Sequence, residues 1–378
     1  MIKLQRRLLF VYRMKFKFGE YVGLSRLRSR DLDDMLPHLS LPMPNDWDHE
    51  DKRKLSLDEC QSKFADRLSK HLRKRPAVID SHRFDQDDEF KTASPHPIRE
   101  FAERARLLGC CIIPAITVEP SGALTVAVRE IVRRNQSGIV LKLALGDLED
   151  SRLGEKVDTV LGGVGVSAKD AMLCIDLGEF EIENPEEVAE ALSFQIAAVP
   201  YLQDWAHVYI TVGTFSAEIA KIGFNSTKSI ERGEWELYHA LMSRSDLPRR
   251  VVYADYGIEN PNFLRNPQHS RASAHIRYTL DKGSLISKGG SIPKMSFAAI
   301  RAAAKSIVDH PQYDGPAYSF GDAFIKKISD GQAVGNPSYW RAAGVAHHAT
   351  KILEQVRSMF GLTVREDQPE TQRQEQLF

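Results

Sequence analysis

The feature that most constrains this chain is a recurring alternation between short β-branched apolar runs and longer amphipathic stretches. Eight such runs occur: Lys15–Phe18, Leu39–Leu41, Ala77–His82, Cys111–Val118, Ile139–Leu145, Ala171–Gly178, His207–Phe215 and Arg250–Gly257. Their starts lie 24 to 43 residues apart, enough each time for a strand, a helix and two loops. Parallel strands joined by helical crossovers follow from that rhythm. Eight units predict an α/β fold of the (β/α)8 TIM-barrel type, with an open doubly wound sheet as the alternative, because periodicity does not reveal closure.

The helices between the runs carry their own signals. Leu57–Leu72 repeats apolar residues at helical spacing, Pro97 opens Ile98–Leu108, and Ala123–Arg134 carries Val126, Ile131 and Val132. Asn184-Pro185-Glu186-Glu187 combines a capping residue, proline at the first helical position and acids in the first turn. After Gly257 the rhythm changes: Ile258–Ser270 is loop-like, and Ala274–Leu280 reads as a further strand, which replaces Lys15–Phe18 as the eighth in an alternative register. Pro293–Val308 and a helix opened by Asn336-Pro337 and running to about Phe360 complete a helical C-terminal part. The expected division is an extension over 1–13, a barrel over 14–290, a helical extension over 291–364 packed on the barrel, and a disordered tail over 365–378.

Lysine plus arginine and aspartate plus glutamate both number 51, so no net field steers nucleic acid or an acidic membrane. Residues 1–30 hold nine basic side chains and one acid, Glu20; a solvated helix face explains them better than a nucleic-acid arm, although that contact stays open. No segment approaches the apolar length of a membrane span, and Leu8–Tyr12 is too short for a signal peptide. Four cysteines without C-x-x-C spacing point to a reducing cytoplasm, where the sequons at Asn135 and Asn225 go unused. Gly162–Ser167 precedes a strand and reads as a plain loop, and neither G-x-x-x-x-G-K-[ST] nor G-x-S-x-G occurs.

Several stretches resemble the beta family proteins of bacteria and phages, a group without an assigned activity. They are Lys17-Phe18-Gly19-Glu20 with Leu24 and Leu27, Ile175-Asp176-Leu177, Ala254-Asp255-Tyr256, Arg277-Tyr278-Thr279, Ser319-Phe320-Gly321-Asp322, and Trp340-Arg341-Ala342 with His347-His348. The likeness runs from about Met14 to Gln355 and departs at Pro42-Met43-Pro44, where a carboxylate is expected. It implies a bacterial or phage origin, in the neighbourhood of mobile or phage-defence genes.

Chemistry in such a barrel gathers where strands end at the carboxyl face. The polar residues there are Lys17 and Glu20, Asp80 and His82, Lys142, Asp176, Thr211 and Thr214, Asp255 and Tyr256, then Arg277 and Tyr278. Buried carboxylates need cations, and Lys17, Lys142 and Arg277 are expected to supply them. One expectation is a structural ion-pair cluster. The sharper one is a pocket in which Arg277 and a lysine grip a small phosphorylated or nucleotide-like anion, with Glu20, Asp176 and Asp255 as catalytic carboxylates and Asp80, His82, Thr214, Tyr256 and Tyr278 lining it. Tyr256 and Tyr278 fit core or mouth-lining aromatics better than catalysts.

Glu20, Asp80, His82, Asp176 and Asp255 are also hard ligands for a divalent ion, but no metal signature links them, and no cofactor is implied. Asp322, Trp340, Arg341, His347 and His348 form a C-terminal signature. The adjacent histidines point about 100° apart on a helix and so do not share one ion. From another class, the chain reads as a non-catalytic component of a phage or anti-phage defence assembly, with the C-terminal helices docking a protein partner.

Overall fold

The computed structural model describes residues 7–72, 75–215, 222–262, 273–291 and 297–362. From β1 (Phe10–Lys15) the chain passes through α1 (Phe18–Ser25) and α2 (Ser29–Asp34) into β2 (Met35–Ser40), a short hairpin β3 (Trp47–Asp48) and β4 (Arg53–Lys54), and α3 (Leu57–Leu72). Then follow β5 (Ala77–Asp80), α4 (His82–Asp85), α5 (Ile98–Leu107), β6 (Ile112–Thr117), α6 (Gly122–Asn135), β7 (Ile139–Ala144), α7 (Leu153–Val164), β8 (Ala171–Glu179), α8 (Pro185–Ala197) and β9 (His207–Gly213). The last part holds β10 (Ser226–Glu231), α9 (Gly233–Ser243), β11 (Val252–Asp255), β12 (Ser273–Thr279), β13 (Gly283–Ser291), α10 (Phe297–Val308), α11 (Phe320–Ser329) and α12 (Pro337–Met359).

Eight parallel strands close in the order β1-β11-β9-β8-β7-β6-β5-β2, with β2 returning to β1, so the open-sheet alternative does not hold. Six of the expected runs hold strands, and the first two strands are displaced from theirs. The first strand is Phe10–Lys15 and begins inside the segment expected to be an extension; the second is Met35–Ser40, whose Pro37 and His38 had masked it. Ala274–Leu280 does not serve as the eighth strand: β12 lies in a separate antiparallel sheet of order β10-β13-β12. Gly162 and Gly163 belong to α7, and Gly165 caps it at a φ of 81°, so that stretch is a helix end instead of a plain loop.

Alternation along the strands decides what faces where. Val11, Leu36, Val78, Ile113, Val140, Met172, Tyr209 and Ala254 pack together in the lumen. The alternate positions, such as Phe10, Tyr12, Ile79, Leu141, Ile175 and Tyr253, join the outer core under the helices. Capping occurs where the residues allow it: Asn184 and Asn336 each accept two backbone N–H bonds ahead of a proline at the first helical position.

Between β11 and α12 lies an insertion of β12, β13, α10 and α11 with its own small core, including Ile276, Tyr278, Ile300 and Ile325. α12 then returns alongside α1 and completes the ring of helices. Every residue from Ala342 to Leu353 is buried, so α12 has the barrel on one side and the insertion on the other. Close approach to α1 depends on Gly23, where an added Cβ would lie 2.7 Å from the Val345 side chain. The expected tail over 365–378 lies outside the described residues, as do Lys3, Arg6 and part of the loop after Asn262.

Candidate functional site

Above the apolar layers of the lumen sits a charged one. Arg13, next inward residue after Val11, reaches both Asp80 (Nη2 to Oδ2, 3.3 Å) and Asp176. Lys142 Nζ donates to Asp80 Oδ2 at 2.6 Å, and His38 lies 3.4 Å from the same oxygen while its Nδ1 meets the Tyr209 hydroxyl at 3.0 Å. Tyr256 donates to Asp176 Oδ1 at 2.6 Å, and its ring lies under the Arg13 guanidinium. Burial acts to raise the Asp80 carboxyl, but Lys142, His38 and Arg13 outweigh it and hold it well below the usual carboxylate range. Asp176 is likewise held down against burial by Arg13, Lys142 and Tyr256. Burial pushes His38 down to about 4, so it is neutral at pH 7 and two cations face two carboxylates. Asp176, whose side chain is 18% exposed, is the most open of the four charged side chains.

A second cluster occupies the rim where β1, β11 and α12 meet. Glu20 follows β1 on α1, is 1% exposed, and neither of its carboxylate oxygens has a hydrogen-bond partner among the described residues. Arg341 near the start of α12 stands between Glu20 (Nη1 to Oε1, 3.8 Å) and Glu259 (Nε to Oε1, 2.9 Å). Arg277 of β12 also pairs with Glu259 Oε1, at 2.8 Å. Lys15 leans across the mouth onto the carbonyls of Asn260 and Asn262, and burial lowers its ammonium to about 8 against the opposing pull of Glu259. Burial raises the Glu20 carboxyl despite Arg341, whereas Arg277, Arg341 and Lys15 overcome burial at Glu259 and hold it down to about 2. Two neighbouring carboxyls are thereby driven in opposite directions, the pattern that separates an acid from a base. The cavities here are small: about 40 Å³ beside Glu259, Arg277 and Arg341, and about 30 Å³ beside Lys15, Lys17 and His49.

Asp255 does not join either cluster. It shares the outward face of β11 with Tyr253, so the alternation was read correctly and its sense was not. Its Oδ2 meets His348 Nε2 at 3.0 Å and the Tyr253 hydroxyl at 2.8 Å, while Gly257 N–H donates to Oδ1. His348 Nδ1 meets the Thr279 hydroxyl at 2.9 Å. One position earlier, His347 faces Asp322 through Nδ1 (3.0 Å) and the Thr279 carbonyl through Nε2 (2.8 Å), and it stacks on Tyr278. The two histidines are both fully buried and serve two different carboxylates.

Asp314, Asp322 and His347 each offer a ligand atom within 4.8 Å of the others. Their chemistry is already committed: Asp322 accepts from Tyr278, and the Lys351 ammonium lies 3.0 Å from Asp314. That donor set suits a hydrogen-bond network better than a cation.

Of the remaining expected residues, Lys17 precedes α1 at the rim, and exposed His82 opens α4 instead of ending β5. Thr214 follows β9 and bonds Glu234, and Trp340 donates to the Val334 carbonyl from inside the insertion core. The cations that meet Asp80 and Asp176 are Lys142 and Arg13, and Arg277 serves Glu259. Arg13, His38 and Glu259 escaped the sequence reading. The signal for Arg13 was its phase with Val11, which the apolar length of Leu8–Tyr12 concealed.

A family model for Beta protein matches residues 11–354. The chain belongs to the Beta protein family. The Beta protein match begins inside β1 and ends inside α12, so it takes in the whole barrel and the insertion. No curated protein matches the chain. Within this Beta protein, the separate segments that carried the resemblance meet in space: Glu20 and Arg341 at the rim, and Asp255, Thr279, Asp322, His347 and His348 along α12. No helix among the described residues is long and apolar enough to cross a membrane.

Proposed function

We propose that this Beta protein binds a small anion at the barrel rim and performs proton transfer on it, with Arg277 and Arg341 as the grip and Glu20 as the proton donor. The observation that carries the reading is the split pair on Arg341: Glu20 buried, without a hydrogen bond and raised, and Glu259 ion-paired and held down to about 2. Glu259 fixes both guanidiniums so that their remaining N–H groups are directed before a ligand arrives. Asp176, ionised and the most open lumen carboxylate, is the proton acceptor in this reading. The small cavities set the scale of the bound group at a phosphate or carboxylate, as a phosphorylated metabolite would present. The four free cysteines fit a reducing cytoplasm.

The test is a thermal-shift screen with orthophosphate, sugar phosphates and small carboxylates, none of them carrying a nucleobase, with and without divalent ions. At least one anion should raise the melting temperature by about 2 °C or more at saturation, and Arg341→Gln should abolish that shift. If no anion shifts the wild type, or if Arg341→Gln retains the shift, the rim is not the site. The interaction-component reading, with the C-terminal helices as docking surface, has less support from α12, whose residues Ala342 to Leu353 are all buried.

A further inference from the structure

A cavity lies away from the barrel mouth, at the seam between α1 and α11. It measures about 280 Å³, close to the lower end of the size range of small-molecule sites. Three cationic side chains face it, Arg26 and Arg28 from the end of α1 and the turn after it, and Lys327 from α11; among the described residues no carboxylate lines it. Its apolar walls come from Tyr318, Phe320 and Phe324. Phe320, Phe324 and Lys327 repeat at helical spacing, so α11 turns one face with two aromatic rings and an ammonium to the cavity.

The guanidiniums are already placed. Arg28 donates to the Tyr318 carbonyl at 2.9 Å, and the Arg26 guanidinium lies 5.0 Å from the centre of the Phe320 ring. Arg26 Nε is buried and has no hydrogen-bond acceptor among the described residues, a deficit that an anionic oxygen would relieve. Charge of one sign beside aromatic faces calls for a ligand with an anionic end and a flat apolar body. We propose that this seam is a binding site for a nucleoside 5′-phosphate, its phosphate held by Arg26 and Arg28 and its base laid along Tyr318 and Phe320. The site is independent of the rim, shares none of its residues, and joins the barrel to the insertion, so its occupancy would tighten that seam.

Isothermal titration of the full chain with adenosine 5′-monophosphate tests the idea, with adenosine and inorganic phosphate as separate arms. The nucleotide should bind at least tenfold more tightly than either half, and Arg26→Gln with Arg28→Gln should weaken it tenfold or more. Arg341→Gln at the rim should leave the nucleotide affinity within twofold. Should the double variant melt early, Arg28→Gln alone, checked for an unchanged melting temperature, must still weaken binding at least threefold. Absence of nucleotide binding at millimolar concentration, equal affinity for phosphate alone, or affinity indifferent to the seam substitutions would overturn the assignment. A nucleotide lost by Arg341→Gln but kept by the seam variants would move the ligand to the rim and overturn it equally.

Discussion

Glu20 shows how much a single side chain reveals and conceals. As one acid among nine basic residues in the first thirty, it stands out in the sequence, but only the fold places it under α12 without a hydrogen bond. A carboxyl raised by burial binds its proton more tightly folded than unfolded, so it subtracts stability as pH rises above the ordinary carboxylate range. Glu20→Gln should therefore gain stability over the wild type as pH rises from 5 to 8. Urea denaturation at both pH values checks this, and a difference independent of pH would remove the argument. Lys142 gives the opposite case: Lys142→Met leaves Asp80 buried with a weaker set of partners and should cost about 3 kcal/mol. Arg13 and His38 were not legible for a physical reason. Charge inside a barrel strand is costly until a partner is known, and both partners, Asp80 and Asp176, lie on strands remote in sequence.

At the level of elements, the count of eight strands and the places of the last six were legible because β-branched runs with helical intervals have few ways to pack. The caps at Asn184 and Asn336 were legible because capping is local chemistry. Strand boundaries near Pro37, and the inward or outward sense of β11, were not. Alternation assigns Asp255 to the face of Tyr253, but only the ring of neighbouring strands determines which face that is. The role of α12 was equally hidden, since a helix that closes a barrel across an insertion looks in sequence like an appendage. Its seam with α1 yields a prediction: Gly23→Val, which forces methyl groups against Val345, should destabilise the protein by about 1–3 kcal/mol. A melting temperature within error of the wild type would mean that the two helices have room to separate.

For the molecule as a whole, pH should act through its buried histidines. Burial lowers His38 and His96, and partial burial lowers half-buried His71, each to about 4 from an ordinary 6.5. Below pH 6.5 the unfolded chain takes up protons that the folded chain refuses, so stability is present above that value and drains away as pH falls towards 4. For fully buried His38 alone, the loss reaches about 2 kcal/mol at pH 5. The urea midpoint should accordingly drop between pH 7 and pH 5, and the drop should be smaller in His38→Asn. A midpoint that stays level over that range would show that these imidazoles charge in place.

The wall between β1 and β11 is sealed by α12, which arrives only after the whole insertion has been made. During synthesis the nascent chain therefore carries a nearly complete cylinder whose first and last staves meet beneath a bare outer surface, with Asp255 and Tyr12 still wet. Contacts so remote in sequence form slowly. The interval before α12 leaves the ribosome is thus when that apolar surface stands open to association with other chains.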